Sequence, residues 1–321
     1  MVQAEATAVP APTPRAVHPT RPVRAFTLLA ALAAAAAACA GPAAPPPVEP
    51  ARAFSFLRSQ TAFGPRVAGL PGHARQVAWM RRERAFRADT VLEQRIPFVG
   101  ARDTRTELVS LLARFNPAAR RRVLLVAGWD TPPRVPGAEI SGYSSGANDA
   151  ASGVAVLLEL AELFRQRRPE VGVDLLFADG TDQGPTPDRR LLGIRRFAAE
   201  MPAPRPAYAV VLGGVGDRDL ALPREGRSVA AAGEEVARIW ERARELGLPH
   251  VFLNVRGDSV DGAHRVLQEA GIRAVLVSDP EYGPGNRFAR SPLDLPRNVS
   301  PESVAAVARV LAEVVYAERA E

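Results

Sequence analysis

Acidic residues recur directly after short apolar runs in this 321-residue sequence. Gly128-Trp129-Asp130-Thr131 follows residues 122–127 (RVLLVA), and Asp179-Gly180-Thr181-Asp182 comes just after residues 173–177 (VDLLF). Gly213-Gly214-Val215-Gly216-Asp217 follows residues 208–212 (YAVVL), and Gly146-Ala147-Asn148-Asp149 stands before a long amphipathic stretch. If the runs are parallel strands, these acids gather at the carboxyl edge of a sheet, where α/β proteins bind ligands. Carboxylates converging there suit a hard or borderline cation shared with imidazoles. Imidazoles are scarce, however: the histidines are His18, His73, His250 and His264. The run Gly213–Gly216 lacks the G-x-G-x-x-G spacing and a following helix, so it does not read as a phosphate loop.

The elements that would position these residues follow from periodicity. Residues 122–127, 173–177, 208–212 and 274–277 are the short apolar runs expected of buried strands, with 106–115 and 251–253 as further strands. Helical patterns span 73–88, 151–167, 234–245 and 264–270, and Ser300-Pro301-Glu302 opens a last helix with proline at its first position. Residues 131–146, rich in Pro, Gly and Ser, are a loop. Strands alternating with helices predict a three-layer α/β sandwich around a mostly parallel mixed sheet.

Residues 1–50 read differently. Arg21 and Arg24 precede an apolar run over 25–38, followed by the only cysteine, Cys39. This is the order of an export signal, and the run is too short to span a bilayer comfortably as a helix. A cysteine after small residues resembles a bacterial lipobox and marks Cys39 for lipidation. The competing reading is an ordinary signal peptide with an incidental cysteine. Residues 41–50 (GPAAPPPVEP) predict a stiff tether, with folded sequence beginning near Phe54 and one domain over 51–321. The expected location is therefore the cell envelope, with a membrane contact through Cys39. A net charge of +6 arises from 41 basic residues, all arginine, without a basic stripe interleaved with aromatics; a nucleic-acid partner is not expected.

In order along the chain, several motifs resemble metallopeptidase family 28, which includes zinc aminopeptidases and glutaminyl-peptide cyclotransferases. They are Phe63-Gly64-Pro65-Arg66-Val67, Leu112-Ala113-Arg114-Phe115-Asn116-Pro117, residues 146–155 (GANDAASGVA), Val215-Gly216-Asp217-Arg218-Asp219-Leu220 and Val299-Ser300-Pro301-Glu302-Ser303. The resemblance implies a zinc-aminopeptidase-like fold, and it implies where a zinc site would lie. The first-strand motif is normally His-(Trp/Tyr)-Asp-Thr, but Gly128 stands at its histidine. Asp149 keeps the metal-binding aspartate. Thr181 stands at the general base, and Asp182 at a ligand normally glutamate. Gly213 replaces a ligand aspartate, and Arg290 stands at the ligand histidine of a Trp-His-Thr motif. Asp130 is left without the histidine it would orient, and His264 is the remnant of an Asp-Asp-His motif.

Each retained residue also has a plain structural reading. Asp149 can be a helix N-cap, worth on the order of 1 kcal/mol without a metal. Asp182 can be a solvated loop acid, Asp130 a loop hydrogen-bonder, and His264 a satisfied helix-start histidine. A catalytic zinc usually needs three protein ligands and an open position, whereas Asp149 and Asp182 supply two carboxylates, and threonine is a poor base near neutral pH. The sequence therefore predicts a non-catalytic homologue with no resident cofactor, whose cleft takes a peptide N-terminus or another small ligand. The alternatives are an active peptidase or cyclase with a rebuilt zinc site, and a purely structural partner in an envelope complex. Arg290 is further expected to replace the zinc electrostatically by pairing with Asp149, Asp182 or both.

Overall fold

The computed structural model describes residues 44–320 apart from 83–87, 134–141, 185 and 187–188. Cys39, the expected export signal and the first part of the expected tether lie outside the described residues.

A six-stranded sheet runs in the order β1 (Thr90–Val99), β2 (Arg105–Phe115), β4 (Gly172–Ala178), β3 (Arg122–Gly128), β5 (Tyr208–Leu212) and β8 (Ala274–Val277). The β1–β2 and β2–β4 pairings are antiparallel, and β4–β3, β3–β5 and β5–β8 are parallel. The central strands β3, β4 and β5 are largely apolar because both faces are covered. Val123, Leu125 and Ala127 of β3 and Val173, Leu175 and Phe177 of β4 enter one core. Their neighbours Leu124, Val126, Leu176 and Ala178 enter the other, as the two-residue period of a strand requires. The first face is packed by α1 (Pro50–Ala62), α2 (Pro71–Arg82), α3 (Ala151–Gln166), α6 (Gly233–Glu245) and α8 (Pro301–Ala317). The second is packed by α4 (Leu192–Ala199) and α7 (Ala263–Glu269). The architecture is the expected three-layer sandwich with a mixed sheet.

Three local readings are corrected. The strand expected at 251–253 is β7 (Phe252–Arg256), which pairs with β6 (Leu222–Arg224) in a separate two-stranded sheet. The helix expected over 73–88 begins earlier and is described only to Arg82; Ala88 lies outside any helix. The tether expected up to residue 50 is, in its described part, tied to the domain. Glu159, fully buried in α3, accepts the Glu49 N–H at 2.8 Å and the Arg52 Nε–H at 2.7 Å. Folded structure thus begins before Phe54, and α1 starts at Pro50, where proline at the first turn sacrifices no helical bond. At the other end of the chain, the Ser300 hydroxyl accepts the N–H groups of Glu302 and Ser303 and caps α8.

The parallel register puts the carboxyl ends of β4, β3, β5 and β8 on one edge, with Gly128 opposite Ala178 and Leu212 opposite Val277. Gly153 lets α3 cross this edge closely: a Cβ there would stand 3.2 Å from the Cβ atoms of both Ala127 and Leu212. That approach brings the start of α3, and Asp149 before it, to the strand ends.

Candidate functional site

Asp130 organises the loop after β4. Its Oδ1 accepts the Thr181 N–H at 2.9 Å and the Thr181 hydroxyl at 2.5 Å. Its Oδ2 accepts the Asp182 N–H and the Gln183 Nε2–H, each at 2.9 Å. A buried carboxylate with four donors is well satisfied, so the loop is fixed by the chain alone. Beneath it, Asp179 accepts from His73 Nε2 at 2.8 Å and from the Val109 N–H at 2.6 Å. Burial pushes the Asp179 carboxyl up to about 6, against the pull of His73. The His73 ring also lies 4.6 Å, centroid to centroid, from that of Trp129.

Asp149 does not cap α3. Ala150 holds the cap position without any side-chain capping bond, which corrects the N-cap reading. The loop before α3 is held instead by Asp294, a residue the sequence reading passed over. Asp294 Oδ1 accepts the Asn148 N–H at 2.7 Å, and Oδ2 accepts the Asp149 N–H at 3.2 Å. Asp294 is fully buried, and burial pushes its carboxyl up to about 6. No spacing marks it in the sequence; it is one acid in a proline-flanked loop. Arg66, also fully buried, donates to the backbone carbonyls of Trp129, Ser145 and Gly146. Burial lowers its guanidinium to about 10, and Asp294, Asp130 and Asp149 pull it back upward.

With so many carboxylates near one another, protonation is favoured. Asp149 is raised to about 6, first by burial and then by Asp294, with Arg290 opposing. Asp182 is raised to about 7 by burial, again with Arg290 opposing. Arg290 Nη2 donates to Asp182 Oδ1 in a direct ion pair. Of the two acids expected to draw Arg290, the bond is made to Asp182.

Two glycines face filled space. A Cβ on Gly128 would lie 2.6 Å from Thr181 Oγ1, and one on Gly213 would lie 2.3 Å from Ser278 Oγ. His264 is turned away into α7's packing: it is fully buried, 3.4 Å from Glu225 Oε2, and neither ring nitrogen makes a hydrogen bond. It is not the satisfied helix-start histidine expected, and burial lowers its pKa, favouring the neutral ring. The structure thus gathers Asp130, Asp149, Thr181, Asp182 and Arg290 at the edge. It leaves Gly213 against Ser278 and His264 against Glu225.

Comparison with known proteins decides the family. The model of peptidase family M28 matches residues 110–315. The chain belongs to peptidase family M28. Among solved structures it is similar to a Zn-dependent exopeptidase from Parabacteroides distasonis, at 27% identity and a TM-score of 0.79, covering 86% of this chain and 100% of that one. It is also similar to a glutaminyl cyclase from Tannerella forsythia, at 28% identity and a TM-score of 0.77, over 85% and 100% of the two chains. The glutaminyl cyclase of Bacteroides thetaiotaomicron bound to N-acetylhistamine gives 25% identity and a TM-score of 0.78, over 86% and 100%. Among curated proteins, Escherichia coli YfbL is 34% identical over 86 residues, which is 27% of this chain and 25% of YfbL.

The similar Parabacteroides distasonis structure is that of a Zn-dependent exopeptidase, so the fit of zinc to these residues matters. A zinc site needs about three protein donors converging on one point. Among the described residues no group of three or more His, Cys, Asp or Glu side chains is disposed to hold a metal ion. The reason is visible in the packing. Gly128 offers no donor, and Thr181 fills the room a side chain there would take. Ser278 does the same at Gly213, and Arg290 already holds one oxygen of Asp182 with a fixed positive charge. The donors among the described residues do not fit zinc.

Proposed function

We propose that this M28 chain is a non-catalytic homologue that keeps the family cleft as a binding site for small ammonium-bearing ligands, peptide N-termini foremost. The observation that carries the reading is the filling of ligand space: Thr181 occupies the room at Gly128. A metal site that had merely lost one side chain would leave a void, whereas here a neighbour closes it. Thr181 also donates its proton to Asp130, so its hydroxyl is committed to holding the loop. The cleft beside it remains open, about 350 Å³ in volume, with Asp149 and Asp182 on its wall. That volume is in the range of small-ligand pockets, roughly 300–1,000 Å³. An ammonium is the natural partner for Asp149, whose carboxylate accepts no hydrogen bond from a described residue, whereas Asp182 is already paired with Arg290.

The same reading places the protein in the cell envelope, anchored through a lipid on Cys39. Its support is the order of basic residues, apolar run and cysteine in the sequence.

The deciding experiment is metal analysis of purified protein together with assays on aminoacyl and N-terminal glutaminyl substrates. Less than a tenth of an equivalent of zinc and no turnover are expected, with binding of dipeptide amides detectable by calorimetry. Stoichiometric zinc with turnover abolished by Asp149→Ala would overturn the reading in favour of an active hydrolase or cyclase. For the anchor, partition into the detergent phase that is lost in Cys39→Ala is expected; partition unchanged by that substitution would reject it.

A further inference from the structure

The charges on the cleft wall are not evenly matched. Arg265 is bracketed by Asp261 at 2.9 Å and Glu269 at 2.7 Å, so its charge is answered by neighbours in and just before α7. Arg290 is answered by Asp182. Because Arg290 holds Asp182, Arg190 is left 3.9 Å from that same carboxylate oxygen, beyond hydrogen-bond length. Arg190 Nε donates to the Gly184 carbonyl, and its Nη groups have no partner among the described residues. Among the described residues, the Arg195 side chain, one turn into the next segment, makes only a 3.5 Å contact from Nε to the Arg190 carbonyl. Both side chains line the cleft and reach solvent. Elsewhere on the wall, the Asp149 carboxylate receives no hydrogen bond from any described residue. Leu191 and Val266 line the same cleft.

The cleft is therefore dipolar: an unanswered carboxylate, two arginines with free donors, and apolar surface alongside. An ordinary ammonium ligand would answer only Asp149. The free guanidinium donors match a carboxylate, which they bind with planar, charge-assisted bonds. We propose that Arg190 and Arg195 form an anion-binding pole, so that the ligand is a short peptide carrying a carboxylate close to its free amino terminus. The carboxylate is either an acidic side chain or the chain end of a dipeptide. The proposal rests on the amino-terminus reading above for its other pole.

Calorimetry on the full-length protein with four probes tests it: Ala-Ala-amide, Ala-Ala, Ala-Glu-amide and N-acetyl-Ala-Glu-amide. At least one of the two carboxylate-bearing, free-amine probes should bind about tenfold tighter than Ala-Ala-amide, the factor one charge-assisted bond supplies. Which one does so identifies the source of the carboxylate. In Arg190→Gln/Arg195→Gln that ratio should fall to about one, with Ala-Ala-amide binding unchanged, the factor being lost with the donors. Equal binding of Ala-Ala-amide and both carboxylate probes overturns the anion pole and leaves the amino-terminus reading intact. If acetylation costs nothing while the arginine variant loses affinity, the anion pole stands and the amino-terminus reading fails. Binding by none of the four probes overturns both. A ratio preserved in the arginine variant also overturns the assignment to these residues.

Discussion

Thr181 and Gly128 share one volume: the threonine hydroxyl sits 2.6 Å from where a β-carbon on the glycine would be. Gly128 ends β3 and Thr181 sits in the loop after β4, yet neither can grow unless the other shrinks. The hydrogen bond from Thr181 to Asp130 fixes the threonine rotamer, so the side chain cannot swing clear without giving up that bond.

Gly128→His should accordingly destabilise the fold by about 1–3 kcal/mol, the usual range for overpacking. Adding Thr181→Gly should recover more than half of that loss, because the two sites interact directly. Urea melts of the two single variants and the pair measure the coupling. Additive losses would show that the volumes are independent.

Asp294→Ala should be costly for a different reason. It strips the partner from the N–H groups of Asn148 and Asp149 in a site closed to water. Each orphaned buried donor costs about 1–3 kcal/mol, so a loss of about 2–6 kcal/mol is expected from the two. Asp294→Asn, which keeps one acceptor oxygen, should lose less. Thermal melts of the two variants order them.

The raised carboxyls set a pH dependence with a definite sign. Asp182, near 7, and Asp149, near 6, both lie above the ordinary carboxyl value of 3.8. Between 3.8 and those values the folded chain binds more protons than the unfolded one, so stability falls as pH rises from about 4 to about 7. His264 works against this trend, since its depressed pKa costs stability as pH drops below about 6.5. The contribution of Asp182 is isolated by difference: Asp182→Asn should show a shallower decline from pH 4.5 to 7.5 than the parent. Denaturant midpoints at intervals across that range are the readout, and parallel curves would contradict the assignment.

What was legible in the sequence was whatever local pattern controls. Strands β3, β4 and β5 are short, largely apolar runs because both faces are buried, and α3 is apolar nearly all round for the same reason. The first strand, β1, escaped because it is an edge strand whose residues are mostly exposed, leaving Gln, Arg and Glu in its interior and no clean alternation. Helix α1 was hidden by the prolines before it, which read as a tether, although proline is tolerated at a helix start. At the site, the loss of donors at Gly128 and Gly213 could be read by comparison of motifs, but what filled the space could not. Ser278 stands 65 residues after Gly213, and Asp294 stands 145 after Asp149, and only the folded register brings each pair together.

The join between residues 44–52 and the domain has a mechanical side. The Ala44 carbonyl takes a bond from Arg167, and Glu49 and Arg52 both fasten to Glu159, in the middle of the helix that Asp149 precedes. There is no slack in this stretch to stretch out first. A pull applied at residue 44 is therefore delivered as tension to α3 and to Arg167 just after it.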